Sequence, residues 1–295
     1  MSNSSNAGVG FRRFICYFLA LIMAASVTLF ISAGITASLL RTNTFVQHRY
    51  AKYNSQTLKI VYDEFGKVAQ ETGIPKKAYT SAITSKHIKS ILNIASNNII
   101  KGYKTDYSES KFLYQYLRNS VTDYCEKNDI PITDEQVNQF CCLAADAFNN
   151  AVGDESTNNI IIIALTYTNK PMIAMLVCAI AFGLSIVAID FISGRRHKKY
   201  EYIGVSFITA GEALTVLPFF AIVMKYTSEF HFTDVEVYNL ALADTLNDIL
   251  KIIMAVGVVV LVVGISMVVK NYRYYNHKQR SINTERQIIE EIKKK

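Results

Sequence analysis

Tryptophan is absent from the 295 residues, and charged residues make up only 19% of them. A soluble chain would carry about 25% charge, so the shortfall points to surface that faces lipid. Five cysteines exclude a disulfide-stapled scaffold, and 4 prolines with 13 glycines exclude collagen-like or Pro/Gly-rich low-complexity chains. No G-x-x-x-x-G-K-[ST], H-E-x-x-H or G-x-S-x-G occurs, which removes the familiar ATPase, zinc-protease and serine-hydrolase signatures. Apolar residues dominate instead, at 51%, and the net charge is +7. The composition reads as an all-α integral membrane protein with one polar domain. It implies no enzyme, cofactor or resident metal.

Four stretches are long and apolar enough to span. Phe14–Leu40 holds 27 residues without a formal charge, more than the ~20 that one crossing needs. Arg12 and Arg13 precede it as they would a secretory signal, but the apolar run far exceeds a cleaved signal's core of about 7–15 residues, so an uncleaved anchor is expected. Pro171–Ile192, Tyr202–Met224 and Ile249–Val269 are three further spans of 21 to 23 residues. Residues 193–201 form a tight basic loop between the second and third.

Basic residues set the orientation. With both termini cytoplasmic, segments 1–13, 193–201 and 270–295 together hold 14 Lys or Arg against 4 acids. The segment 226–248 holds no Lys or Arg and five acids. The expectation is a multi-pass protein of the cell membrane with residues 41–170 and 225–248 outside. The inside segments total 48 residues, too few for a kinase, cyclase or nucleotide-binding domain.

Residues 41–170 are enough for a compact domain. Apolar residues recur at helical spacing in four stripes. The first is Leu58, Val61, Tyr62, Phe65, Val68 and Ala69, and with no Gly or Pro from Arg41 to Leu58 it is expected to continue the first span. The second is Ile88, Ile91, Leu92, Ala95 and Ile99. The third is Phe112, Leu113, Tyr116, Leu117, Val121 and Tyr124, and the fourth Val137, Phe140, Cys141, Ala144 and Phe148. Thr133-x-x-Gln136 is a capping-box pattern ahead of the fourth. Four such helices bury their stripes against one another as a bundle. Ile160–Leu165 is strand-like in composition, but without a partner strand it is placed on a membrane-proximal helix. In an antiparallel hairpin about 129–131, Cys125 and Cys141 fall about 9 Å out of register, so Cys125, Cys141 and Cys142 are expected as free, buried thiols.

The residue with the most chemical interest is Glu212, ten residues into the third span and about 15 Å deep. A charge there costs at least ~2.5–3.5 kcal/mol, so the side chain must face protein or water, or be protonated. Thr209, Thr215 and the carbonyl that Pro218 leaves without a donor lie within about two turns, and together they form a candidate intramembrane polar site. Gly211 permits close backbone approach. Asp190, near the end of its span, is expected to pair with the basic loop, and Lys251 to reach the interface. His231, Asp234 and Glu236 are too few for a metal site, and the loop around them is expected along the membrane surface through Val235, Tyr238, Leu242 and Leu246.

Arg195, Arg196, Lys198, Lys199, Lys270, Arg273, Lys278 and Arg280 are placed to contact anionic headgroups. Topology accounts for this charge, so nucleic acid is not an expected partner. Residues 284–295 read as a short amphipathic helix. The helical insert between the first two spans resembles in architecture the four-helix sensory domains of bacterial receptors, over roughly residues 14–192. Such receptors continue into long signalling helices, whereas this chain turns back after nine residues.

The expected function is that of a non-enzymatic sensor, accessory or interaction protein. Its outside helical domain binds a ligand or another membrane or cell-surface protein. Small residues on the first span (Ala20, Ala24, Gly34, Ser38) allow close helix contacts within the chain or in a homo-oligomer. The alternative is a small transporter or channel subunit that uses Glu212.

Overall fold

The computed structural model describes residues 3–40, 48–49, 51–90, 92–93, 111–152, 171–193, 196–229 and 236–294. Among these the regular structure is entirely helical. The named helices are α1 (Asn3–Leu40), α2 (Asn54–Thr72), α3 (Lys76–Ala82), α4 (Lys111–Lys127), α5 (Asp134–Val152), α6 (Pro171–Ser193), α7 (Arg196–Val223), α8 (Tyr226–Glu229) and α9 (Glu236–Lys294). Four stretches are long and apolar enough to cross a membrane: Gly10–Leu40, Met172–Ser193, Lys198–Val223 and Glu236–His277. This is consistent with a multi-pass membrane protein. The chain divides into two compact units, one of Met1–Thr36, Pro171–Met224 and Ile249–Lys295, the other of Ala37–Lys170 and Lys225–Asp248.

In the first unit, Cys16, Ala20 and Met23 of α1 are buried with Ile189 of α6 and with Tyr202 and Ile203 of α7. The Tyr17 and Tyr202 rings meet edge to face, 5.0 Å apart. Ala20 and Ala24 are therefore used for contacts inside the chain, and Gly34 faces Met175. A second seam joins α7 to α9 and is made of glycine. A Cβ on Gly211 would stand 2.5 Å from the Leu261 backbone nitrogen, and one on Gly257 2.8 Å from the Leu214 carbonyl carbon. A Cβ on Gly264 would stand 2.7 Å from the Ile208 nitrogen, and one on Gly204 2.7 Å from Val268 Cγ2. Ascending positions on α7 meet descending positions on α9, so the two helices run antiparallel. Each has its glycines seven residues apart, which returns them to one face. The Leu214 carbonyl is also the one that Pro218 leaves without its usual donor, so backbone meets backbone where the helix ladder is open.

The second unit has a core of large side chains. Val61, Phe65 and Ala69 of α2, Ala78 and Tyr79 of α3, Leu117 and Val121 of α4, and Phe140, Ala144 and Phe148 of α5 are all buried in it. Phe65 is at its centre, its ring 6.0 Å from Tyr79, 6.2 Å from Phe140 and 6.4 Å from Phe148. Local signals fix the ends of these helices. α2 stops at Gly73, whose φ of 76° is in the left-handed region, with its N–H returning to the Ala69 carbonyl. α4 stops at Asp129 (φ 49°), where the Ile130 N–H bonds the Cys125 carbonyl and the Asp129 N–H the Glu126 carbonyl, a Schellman closure. α5 opens with the capping box: the Gln136 N–H donates to Thr133 Oγ1 (3.2 Å) and the Thr133 N–H to Gln136 Oε1 (3.0 Å).

Several expectations change. Residues 236–248 are not a loop along a membrane surface. They are the first turns of α9, with Val237, Tyr238 and Ala241 buried in the core of the second unit and Leu242 packed against it. Tyr238 donates its hydroxyl to the Val152 carbonyl, one of the orphan acceptors in the last turn of α5. α3 is an additional helix, too short at seven residues to show a stripe. Cys125 and Cys141 are free and buried as expected, but Cys142 is exposed, because α5 turns it away from the core. Of the second stripe, Ile88 and Leu92 are buried, while Ile91, Ala95 and Ile99 lie outside the described residues, as do the join between the first span and α2 and the stretch Ile160–Leu165.

Candidate functional site

The intramembrane cluster expected around Glu212 divides between two faces of α7. Thr215 lies on the seam with α9: its hydroxyl donates to the Gly211 carbonyl (2.7 Å), and its Oγ1 is 2.7 Å from where a Gly257 Cβ would stand. Leu214 and Pro218 are buried on that side too. Glu212, the residue after Gly211, is turned about 100° from the seam and is exposed in one row with Val216, Phe219 and Val223, all exposed. Thr209 is half-buried. No hydrogen bond or ion pair engages Glu212 among the described residues. Sequence spacing put the four groups within two turns, and the fold brings only Thr215 and Pro218 together.

A second polar cluster, not anticipated from the sequence, lies in the other unit. Arg49 bonds Asp248 through Nε (3.0 Å) and a terminal guanidinium nitrogen (2.5 Å). Lys52 Nζ is 2.5 Å from Asp244 Oδ2, and the Tyr53 hydroxyl donates to the same oxygen at 2.8 Å. Arg49, Lys52, Asp244 and Asp248, with His48, Ala51 and Lys89, line an open cleft of about 570 Å³. Burial pushes the Asp244 carboxyl up, but the hydrogen bonds from Lys52 and Tyr53 and the Lys52 charge outweigh it, so it titrates below its ordinary range. The hydrogen bond to Asp244, followed by its charge, raises Lys52. Burial first, then the bond to Asp244, raises Tyr53. The acids occupy successive turns of α9 (i, i+4) and the bases sit three apart. The partners are nearly 200 residues distant in sequence, which hides the match.

The basic positions meet different surroundings. Lys199 pairs with Asp190 at 2.9 Å, the contact expected between that acid and the basic loop. Lys198 is half-buried, and Lys270 and Arg273 are exposed on α9 beside the exposed Tyr272, Tyr274 and Tyr275. Arg196 opens α7, and Lys278 and Arg280 lie along α9. Arg195, His231, Asp234 and Val235 lie outside the described residues. His87 is tied into the fold: its Nδ1 accepts the Thr84 N–H at 3.2 Å and its ring lies 5.1 Å from Tyr116. Burial, and next the neighbouring Cys142, push the Cys141 thiol up to about 12, which keeps it out of thiolate chemistry near neutral pH.

The chain matches no family model, no curated protein and no solved structure.

Proposed function

We propose that the chain is a non-enzymatic accessory or sensor protein of the cell membrane. Both termini are cytoplasmic, and a helical domain outside the membrane binds a ligand or a partner protein. One observation carries this reading. The first turns of α9 are built into the core of the second unit, through buried Val237, Tyr238 and Ala241 and the pairs of Asp244 and Asp248. The same helix continues through residues 249–269, the expected fourth span, within the stretch Glu236–His277 that is apolar enough to cross a membrane. Binding that repacks the unit therefore acts on the chain that enters the fourth span. The cleft at His48, Arg49, Lys52, Lys89, Asp244 and Asp248 offers polar groups of both signs to a binding segment.

Transport through Glu212 has less support, because the hydroxyl of Thr215 is committed to the Gly211 carbonyl at the seam, and no hydrogen bond or ion pair engages Glu212 among the described residues. The test is a photo-crosslinking residue at Lys89, by the cleft, or at Glu126, on the far hairpin, in living cells. The reading expects an adduct with a membrane or surface protein from Lys89 and none from Glu126. No adduct from either position contradicts it.

A further inference from the structure

We propose that the α7 face carrying Glu212 is the docking surface for the transmembrane helix of a different protein, one that presents a Lys or Arg at mid-depth. A carboxyl facing acyl chains is costly to ionise, and a cationic side chain brought to its level stabilises the charged form. The carboxyl is exposed at one end of an apolar row: Val216, Phe219 and Val223 follow it at spacings of four, three and four, and all are exposed. A helix laid along such a row meets contacts at the spacing that helix pairs use.

A second copy of this chain does not supply the missing charge. Across its four expected spans the only basic residue is Lys251. Gly211 packs against Leu261, which marks on α9 the level of Glu212. Lys251 is ten residues away along that helix, about 15 Å in depth. Copies inserted in the same sense keep that offset, so they bring Glu212 only to another carboxyl. Charge complementarity therefore selects a different chain with a basic side chain at this level. Buried in the interface, that side chain is worth more to Glu212 than an exposed pair in water, since lipid offers no competing solvent.

This inference deepens the accessory reading. It rests on the four membrane crossings and not on the side that the helical domain occupies, so its failure leaves the domain's binding role standing.

Full-length protein carrying Cys142→Ser and a donor dye at Lys198→Cys is placed in phosphatidylcholine vesicles. Acceptor-labelled Leu/Ala host helices of about 20 residues bear a central Lys, Leu or Glu. Energy transfer is expected to report about tenfold tighter association of the Lys helix than of the Leu helix. Glu212→Gln, nearly isosteric, should bring the Lys helix down to the Leu level, and Glu212→Lys should transfer the preference to the Glu helix. Equal association of the Lys and Leu helices with the unaltered face overturns the proposal, and that comparison needs no variant at Glu212 to fold. A Lys preference that survives Glu212→Gln also overturns it. So does self-association of the chain through this face that the Lys helix cannot displace.

Discussion

The two units of this chain hold their helices together in opposite ways. Around Phe65 the contact is made by rings, with Tyr79, Phe140 and Phe148 about 6 Å from it. Between α7 and α9 it is made by missing side chains, with Gly204, Gly211, Gly257 and Gly264 letting backbone approach backbone. Surroundings explain the contrast. Where water is the alternative, each large apolar side chain taken inside contributes about 1.5–3 kcal/mol. Lipid tails are as apolar as leucine, so burying one there gains little, and association depends on close packing and interhelical polar contacts. The segment where the regimes meet in sequence is α9, whose first turns belong to the ring-packed unit and whose later turns carry Gly257 and Gly264.

The largest expected effect breaks the ring-packed side. Phe65→Ala should destabilise the second unit by about 3–5 kcal/mol, measured as a fall in its thermal midpoint in detergent, because large rings of α3 and α5 line the cavity it leaves. A loss below about 1 kcal/mol means that the core is not centred on this ring. Next comes the glycine seam. Gly211→Ala forces a Cβ against the Leu261 backbone and should cost about 1–3 kcal/mol. Gly183→Ala is the control, since a Cβ there has nothing within 4 Å, and it should be neutral or stabilising. Equal behaviour of the two variants would erase the distinction between the units.

A smaller effect is expected at the charged cleft. Asp244→Asn or Tyr53→Phe should cost about 1 kcal/mol, the scale of a partly exposed hydrogen-bonded pair. The pH dependence carries a sign. Asp244 titrates below its ordinary value, so its contribution is full above about pH 4 and is lost as pH falls through its lowered folded value. Lys52 is raised, so its contribution is full below about pH 10 and is lost as pH climbs through its folded value. The contribution of this pair should be flat between these limits, and Asp244→Asn should remove both of its flanks. A variant that keeps the acid flank unchanged shows that another carboxylate is responsible.

Much of this fold is written in local pattern. The stripes of α2, α4 and α5, the Thr133–Gln136 capping box and the four apolar stretches all depend on residues within a few turns of one another, and spacing alone shows them. What local pattern does not show depends on distance or on context. The first turns of α9 read as an acidic loop because the absence of Lys and Arg between Tyr226 and Asp248 suits an outside segment as well as it suits a helix whose bases are supplied by Arg49 and Lys52. The run Val237, Tyr238, Ala241 and Thr245 was the available helical signal. Gly211 alone signals only a close approach, whereas Gly204 seven residues before it and the matching pair Gly257 and Gly264 mark a shared face. The Glu212 cluster illustrates the limit of spacing: two residues three apart on a helix either share an arc or straddle its edge, and only the neighbouring helix decides which.

The side of the membrane that the helical unit occupies is tested most directly by its own cysteines. Cys142 is exposed, whereas Cys125 and Cys141 are buried, so a membrane-impermeant maleimide has one ready target in that unit. In intact cells the reagent should label Cys142, with Cys142→Ser abolishing the signal, and a thiol placed by Lys198→Cys should react only after permeabilisation. Labelling of Lys198→Cys in intact cells, with Cys142 reached only once the cells are opened, would contradict the account.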